Sequence, residues 1–491
     1  MRLSSALETS RTSLSTTAQL IDVASRNISN ASNADASRKV GRVVTDAGGG
    51  ARVSTIQRVS FNHLQEGVIR ATSEGARLDA IVDALYRLDL SNGGAANLAT
   101  PSSALMDLRS SLQAYSANTA DQNGASSVLN SARSLAHTVQ TWARNTHEIR
   151  LQTNSEIVTD VGDLNEWLQR LDVLDEQIVN GTVARSDITD QLDARDALIE
   201  RIATLVGVNV VERGNNSIAL YTDSGITLFD GHARAVTLLD VPLTDGVPGG
   251  ALSIDGTIAF GPNSVMSVQS GRLAALYEVR DRLTLSYGAQ LDDFAGTLIR
   301  LFSESDQSPN PTLPDIMGLF TSSSVGSVPP AGTVVNGLAR AITVNANVDP
   351  SRGGNLLLLR DGGIGNPAIA AYRYNANDVS GYNDRVQELI AGFNLGEPHG
   401  AQTLLPDAAS VMNFAAQSSG WLQGQRQSIG DAAEFATALL QTSKGALQKI
   451  AGISIDDEMA TLLSLERTYQ ASAKLISAAD AMFAALLQAV D

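Results

Sequence analysis

The feature that most constrains this chain is the repeat that closes it. Counting in sevens from Ile455 meets Leu462, Tyr469, Ile476, Phe483 and Val490, every one apolar. Four residues after each come Met459, Glu466, Ala473, Asp480 and Leu487, a companion track broken twice by carboxylates. An apolar residue every seventh position is what a helix needs to lie along another helix. Asp456, Asp457 and Glu458 fall in the first turn, where the helix dipole favours negative charge, and neither Gly nor Pro occurs from Ser454 onward. The spacing predicts one helix of about ten turns.

The opposite end of the chain repeats the pattern. Leu7, Leu14, Ile21 and Ile28 stand seven apart, accompanied by Leu3, Ser10, Thr17 and Ala24. Neither terminal helix buries its apolar seam alone. Two arrangements satisfy both: each packs separately on a central domain, or the two pair as a bundle and turn their other faces to further subunits. The candidate packing residues are Leu7, Leu14, Ile21 and Ile28 with Ile455, Met459, Leu462, Tyr469, Ala473, Ile476, Phe483, Leu487 and Val490.

Between these ends the period changes repeatedly. Lys39 to Thr45 and Arg52 to Ser60 are β-prone runs around Gly48-Gly49-Gly50, which reads as a hairpin arm. Helical patterns follow over Phe61–Leu90, Pro101–Asn118, Ser126–Val158, Gly162–Val179 and Ser186–Val206. From Val208 to Phe260 short β runs alternate with Gly-Asn, Asp-Gly and Gly-Gly turns. Ser270–Phe302 is helical again. A Ser/Pro/Gly/Asn-rich stretch then holds β-prone pieces at Ala341–Val344 and Leu356–Leu359, and helices span Tyr382–Phe393 and Asp407–Ile450. The expected class is multidomain α+β. Its parts are a terminal helical and arm domain (1–60 with 451–491), a helical domain (61–207 with 269–303 and 382–450) and a β-rich domain (208–268). A loop- and β-rich insert (304–381) either stands alone or joins that β domain. The nested β material is expected to tolerate deletion better than either end.

Composition narrows the function. With 491 residues, three or so domains fit. A net charge of −17 leaves nothing to neutralise phosphates in bulk, which argues against nucleic acid. No cysteine is present, so disulfides, thiolate metal sites and cysteine nucleophiles are excluded. No run approaches the roughly eighteen apolar residues of a membrane span, and the N-terminus lacks the basic-then-apolar order of a cleaved signal peptide.

Chemistry-bearing motifs are sparse. His63, His137, His147, His232 and His399 are scattered without ligand spacing. Gly362-Gly363-Ile364-Gly365 is the nearest approach to a nucleotide loop, but Pro367 and the missing strand–loop–helix frame make it a turn. In Asp193-Ala194-Arg195-Asp196 the charges flank an apolar stripe, as on a solvated or salt-bridged face rather than in a catalytic dyad. No enzyme, cofactor or metal is expected.

Two further stretches carry a resemblance. Ser25-Arg26-Asn27-Ile28-Ser29-Asn30-Ala31 resembles the Asn box that ends the first helix of flagellar axial proteins, the rod, hook and hook-associated family. Ile455-Asp456-Asp457-Glu458-Met459-Ala460 with Tyr469-Gln470-Ala471-Ser472-Ala473 is similar to that family's C-terminal signature. The order Asp163-Leu164-Asn165, Leu174-Asp175-Glu176-Gln177-Ile178, Gln191 to Leu198, Gly271-Arg272-Leu273 and Arg280-Asp281 resembles the hook-associated members at the hook–filament junction. The chain departs from the family after the box, where Ser32-Asn33-Ala34-Asp35-Ala36 replaces a Pro-Gly-Tyr type turn. The resemblance implies a structural subunit in a ring between hook and filament, and adds Asn27 and Asn30 to the interface candidates. Its implied partners are copies of itself, the hook protein, a second hook-associated junction protein and an export chaperone at the C-terminal helix. The implied place is extracellular, on the flagellum, reached by type III export without a cleaved signal. A secreted adhesin using the β-rich region is the alternative.

Overall fold

The computed structural model describes residues 3–45, 49–92, 100–239 and 241–488. Both ends of the chain are helical: α1 is Leu3–Asn30 and α12 is Ile455–Gln488. They pack side by side over much of their length. Between α1 and the rest of the chain runs the arm, strands β1 (Lys39–Thr45) and β2 (Ala51–Arg58), paired antiparallel from Lys39↔Arg58 to Thr45↔Ala51. One face of the arm lies on α1, with Leu20 occupying the space a Cβ would need at Gly41 and Thr16 Oγ1 donating to the Ala51 carbonyl at 2.6 Å. α1, the arm and α12 form a terminal module.

The body is built on long helices. α2 (Asn62–Ser91) precedes α3 (Pro101–Ala117), whose start is fixed by a Thr100/Ser103 capping box and Pro101 in the first turn. α4 (Gln122–Val183) follows an Asp121 cap and runs unbroken for 62 residues. The sequence pattern divides it near Gly162. Helix persists there because an isolated Gly costs only about 1 kcal/mol while the apolar stripe continues on both sides through Ile157, Val161 and Leu164. α5 (Thr189–Leu205) then turns back beside α4.

Next come β3 (Val208–Glu212), β4 (Ile218–Thr222) and β5 (Thr227–Asp230), an antiparallel meander. β6 (Val236–Leu238), β7 (Leu252–Ile254) and β8 (Thr257–Phe260) form a second. α6 (Arg272–Glu278) passes through a π turn at Val279–Leu283 into α7 (Thr284–Leu301). The remainder alternates short pieces: β9 (Phe320–Ser322), α8 (Leu338–Ala341), β10 (Ile342–Val344), α9 (Leu358–Asp361) and α10 (Asp384–Gly392). β11 (Gly396–Pro398) and β12 (Ala408–Ser410) lead into α11 (Val411–Ala451). Leu356–Leu359, β-prone in sequence, instead enters the helical turn of α9, where Leu359 is buried among helices.

Two apolar cores share the long helices. One gathers the first half of α4 with α3, α7, α10, the start of α11 and residues of 319–364. The other gathers Ile157 to Leu171 of α4 with α5, α6 and both three-stranded sheets. The apolar residues of the 304–381 stretch thus join the helical core, and its Arg340 pairs with Asp245 of the β-rich region. No residue of α1, the arm or α12 belongs to either core or to the small α2–α11 cluster among the described residues.

Candidate assembly surface

Along α12 the buried line is Glu458, Ser472 and Ala479, with Leu465 half-buried between them. These stand three residues after Ile455, Leu462, Tyr469 and Ile476, not four. Glu458 and Ser472 look like interruptions in a sequence, yet each has a partner: Arg38 Nε donates to Glu458 Oε1 at 2.6 Å, and Ser13 Oγ and Ser472 Oγ share a hydrogen bond of 3.1 Å. Leu462, Ala473 and Ile476 are half-buried, whereas Ile455, Met459, Tyr469 and Phe483 remain 53%, 43%, 39% and 36% exposed. Val490 and the side chain of Leu487 lie outside the described residues.

On α1 the expected seam residues Leu7, Leu14, Ile21 and Ile28 are all half-buried. Its fully buried residues are Thr16, Thr17, Val23, Ala24 and Asn27. The helix is covered on two sides, by α12 and by the arm, so its buried surface is wider than one heptad seam. Asn27 closes the arm onto the helix end. Its Nδ2 donates to the Lys39 carbonyl at 2.8 Å and its Oδ1 accepts from Lys39 N at 3.0 Å. Asn30 is half-buried, and its carbonyl accepts from Asn33 N at 2.9 Å in the first of the short turns that replace the Pro-Gly-Tyr motif. Asn33 Oδ1 also accepts from Asp35 N at 3.1 Å.

The module meets the body through charge. Asp187, Asp190, Asp193 and Asp196 recur every three residues at the start of α5, which aligns them along one side. Arg26 reaches Asp187 at 2.7 Å and Asp190 at 3.2 Å. Buried Lys39 pairs with Asp190 and, at 3.8 Å, with Asp193. Arg58 holds Asp193 at 3.4 Å and Asp196 at 2.6 Å, while Ser37 Oγ donates to Asp193 at 2.6 Å. Partial burial raises the Asp187 carboxyl, but hydrogen bonds from Arg26 and Thr189 outweigh it and hold the group below its ordinary range. Cavities of about 460 and 800 Å³ flank this joint on its two sides.

The glycine loop cradles a carboxyl group supplied by the chain itself. Gly362 and Gly363 have φ of +78° and +83°, and the Ile364 and Gly365 amides donate to Glu304 at 3.0 and 2.9 Å. His399 lies buried between Asp293 and the Ala409 carbonyl, each at 3.1 Å. Among the described residues no three His, Asp or Glu side chains converge as a metal site.

A family model for the helical domain of the flagellar hook-associated protein FlgK matches residues 92–308. One for the C-terminal part of the flagellar basal body rod proteins FlgEFG matches 443–489, which spans α12. Flagellar hook-associated protein 1 of Bacillus subtilis (strain 168) is 22% identical over 515 residues, covering 96% of each chain. The chain is thus similar to flagellar hook-associated protein 1 over nearly its whole length. The protein of the same name from Salmonella typhimurium is 25% identical over 197 residues, 40% of this chain and 35% of that one. The flagellar hook junction protein FlgK from Burkholderia pseudomallei shares the fold, with a TM-score of 0.57 at 13% identity over 78% of this chain and 99% of that one.

Within the hook-associated fold, the sequence pattern missed the residues that join elements distant in the chain. Arg38, Glu458 and Ser472 have no periodic signal, and the regularly spaced acidic series before and along α5 reads in the sequence as a charged face without showing which residues it meets. A usable hint was compositional: residues 1–60 hold eight Lys/Arg and four Asp/Glu, while 451–491 hold two and six, an opposition that favours their pairing.

Proposed function

We propose that this chain is a structural subunit of the bacterial flagellum that joins hook to filament and assembles through its terminal helices. The observation that carries this reading is an apolar surface on α12 wider than α1 covers. Leu475 and Met482 on one flank and Leu463 on the far face stay 61%, 50% and 51% exposed, while the half-covered Ile455, Tyr469 and Phe483 line the other flank. A helix with apolar residues on both flanks of its packed line is suited to neighbours on both sides. Those neighbours are copies of the chain in a ring, with the hook protein and a second junction protein above and below. Before assembly a cytoplasmic chaperone covers the same C-terminal helix, and the subunit reaches the cell exterior by the flagellar export route. Its role is mechanical and requires no catalysis, nucleic acid or membrane insertion. No described helix is long and apolar enough to cross a membrane. None of the relatives above supports the adhesin alternative.

The test is Leu463→Asp combined with Leu475→Asp in flagellated cells. Both side chains face solvent in the single subunit, so it should fold and be exported as before, as circular dichroism of the released protein would check. Buried charge at the assembled contact should leave hooks without filaments. Filaments at normal number on those hooks would end this reading.

A further inference from the structure

The outer face of the arm has no partner. Its inner face lies on α1, but Val40 and Val43 on the other side are each 45% exposed, and Arg42, Arg52, Thr55 and Gln57 are exposed with them. The strand register shifts between Arg42 and Val43, and this bulge turns two consecutive residues outward together. The face has one sign of charge. The described part of the arm holds Lys39, Arg42, Arg52 and Arg58 and no carboxylate, on a chain whose net charge is −17. Lys39 and Arg58 are committed to α5, whereas Arg42 and Arg52 make no ion pair among the described residues.

The complementary surface is at the start of α12. Asp456 and Asp457 are exposed and likewise make no ion pair among the described residues, and exposed Ile455 and Met459 flank them. Two carboxylates flanked by two apolar side chains match two arginines beside two valines. The same copy cannot satisfy both. Arg38, at the root of the arm, already binds Glu458, and Arg42 lies four residues farther along extended chain, about 13 Å away. Over the terminal module as a whole the charges cancel, with an excess of four positive on 1–60 and four negative on 451–491. A module that is neutral overall but has both signs left unpaired is complementary to another copy of itself.

We infer that the outer face of the β1–β2 arm, centred on Arg42 and Arg52, docks onto Ile455, Asp456, Asp457 and Met459 of an adjacent copy. This rests on assembly through the termini as proposed above. Because the chain has no cysteine, Arg42→Cys with Asp457→Cys is a clean pair for oxidation in assembled flagella. The expected product is a ladder at multiples of the 51.5 kDa subunit. Arg42→Glu with Arg52→Glu should reduce filament number at least tenfold, as should Asp456→Arg with Asp457→Arg. All four reversals in one chain should restore it to within twofold. Bonds confined to single subunits, bonds to a different protein, or unchanged filaments with reversed arginines would overturn the inference. If Leu463→Asp with Leu475→Asp still abolishes filaments in the same strain, that failure belongs to the arm alone.

Discussion

Asp292 on α7 shows how burial and hydrogen bonding oppose each other in one side chain. Its two oxygens accept from Gly337 N and Ala339 N, both at 2.8 Å, which favours the charged form. Burial favours the neutral form and prevails, pushing the carboxyl up to about 7. A folded-state value above the unfolded one means that the folded chain binds the extra proton. The stabilising contribution is complete below about pH 4 and is lost as pH rises toward 7. Asp292→Asn should therefore flatten the pH dependence of unfolding in that window, by on the order of 4 kcal/mol. Denaturant melts at pH 4.5 and 7.5 check it, and an unchanged slope would show that the two amide donors govern the site instead. Asn27 is the contrasting case. Its place in a recognisable box was legible in the sequence. Its work was not, because its partner Lys39 lies twelve residues on, across turns with no periodicity.

At the scale of elements, periodicity served where one face meets one partner and failed where an element has several. The arm, the terminal helices and the β runs of 208–260 were legible as alternation or heptads. The companion track of α12 was displaced by one residue because its buried positions include Glu458 and Ser472, which read as polar until Arg38 and Ser13 are brought to them. The single helix α4 was divided for a different reason, the presence of Gly162. A Cβ built there would meet nothing within 4 Å, so Gly162→Ala should stabilise the protein by roughly 1 kcal/mol and raise its thermal midpoint. No gain, or a loss, would mean that the glycine serves a bend or a contact in the assembled state. The nested β region, expected from the sequence to tolerate deletion better than either end, is packed into the body. Its strands share a core with Ile157, Leu164, Leu168 and Leu171 of α4. Excising 208–268 would expose that stripe, so the region is structural to the body.

For the molecule as a whole, the two ends are joined to the body by ion pairs where the body holds itself together by apolar cores. The joint is flanked by cavities and centred on Lys39, which is 3% exposed and has Asp190 and Asp193 as its ion-pair partners among the described residues. Removing the partners of a buried charge costs about 3–5 kcal/mol if the charge stays buried. Here it need not stay, because undocking the terminal module returns Lys39 to water. Asp190→Asn with Asp193→Asn should therefore leave the thermal transition of the body nearly unchanged while freeing the module. Small-angle scattering should show a larger radius of gyration, and limited proteolysis should cut between residues 31 and 37. Salt should imitate this only in part. Raising ionic strength from 0.1 to 1 M shortens the screening length from about 10 to about 3 Å, which weakens the exposed Arg26–Asp190 pair more than the buried Lys39 contacts. Scattering and cleavage identical to the unsubstituted protein would show that packing of α1 and α12 holds the module in place without these charges.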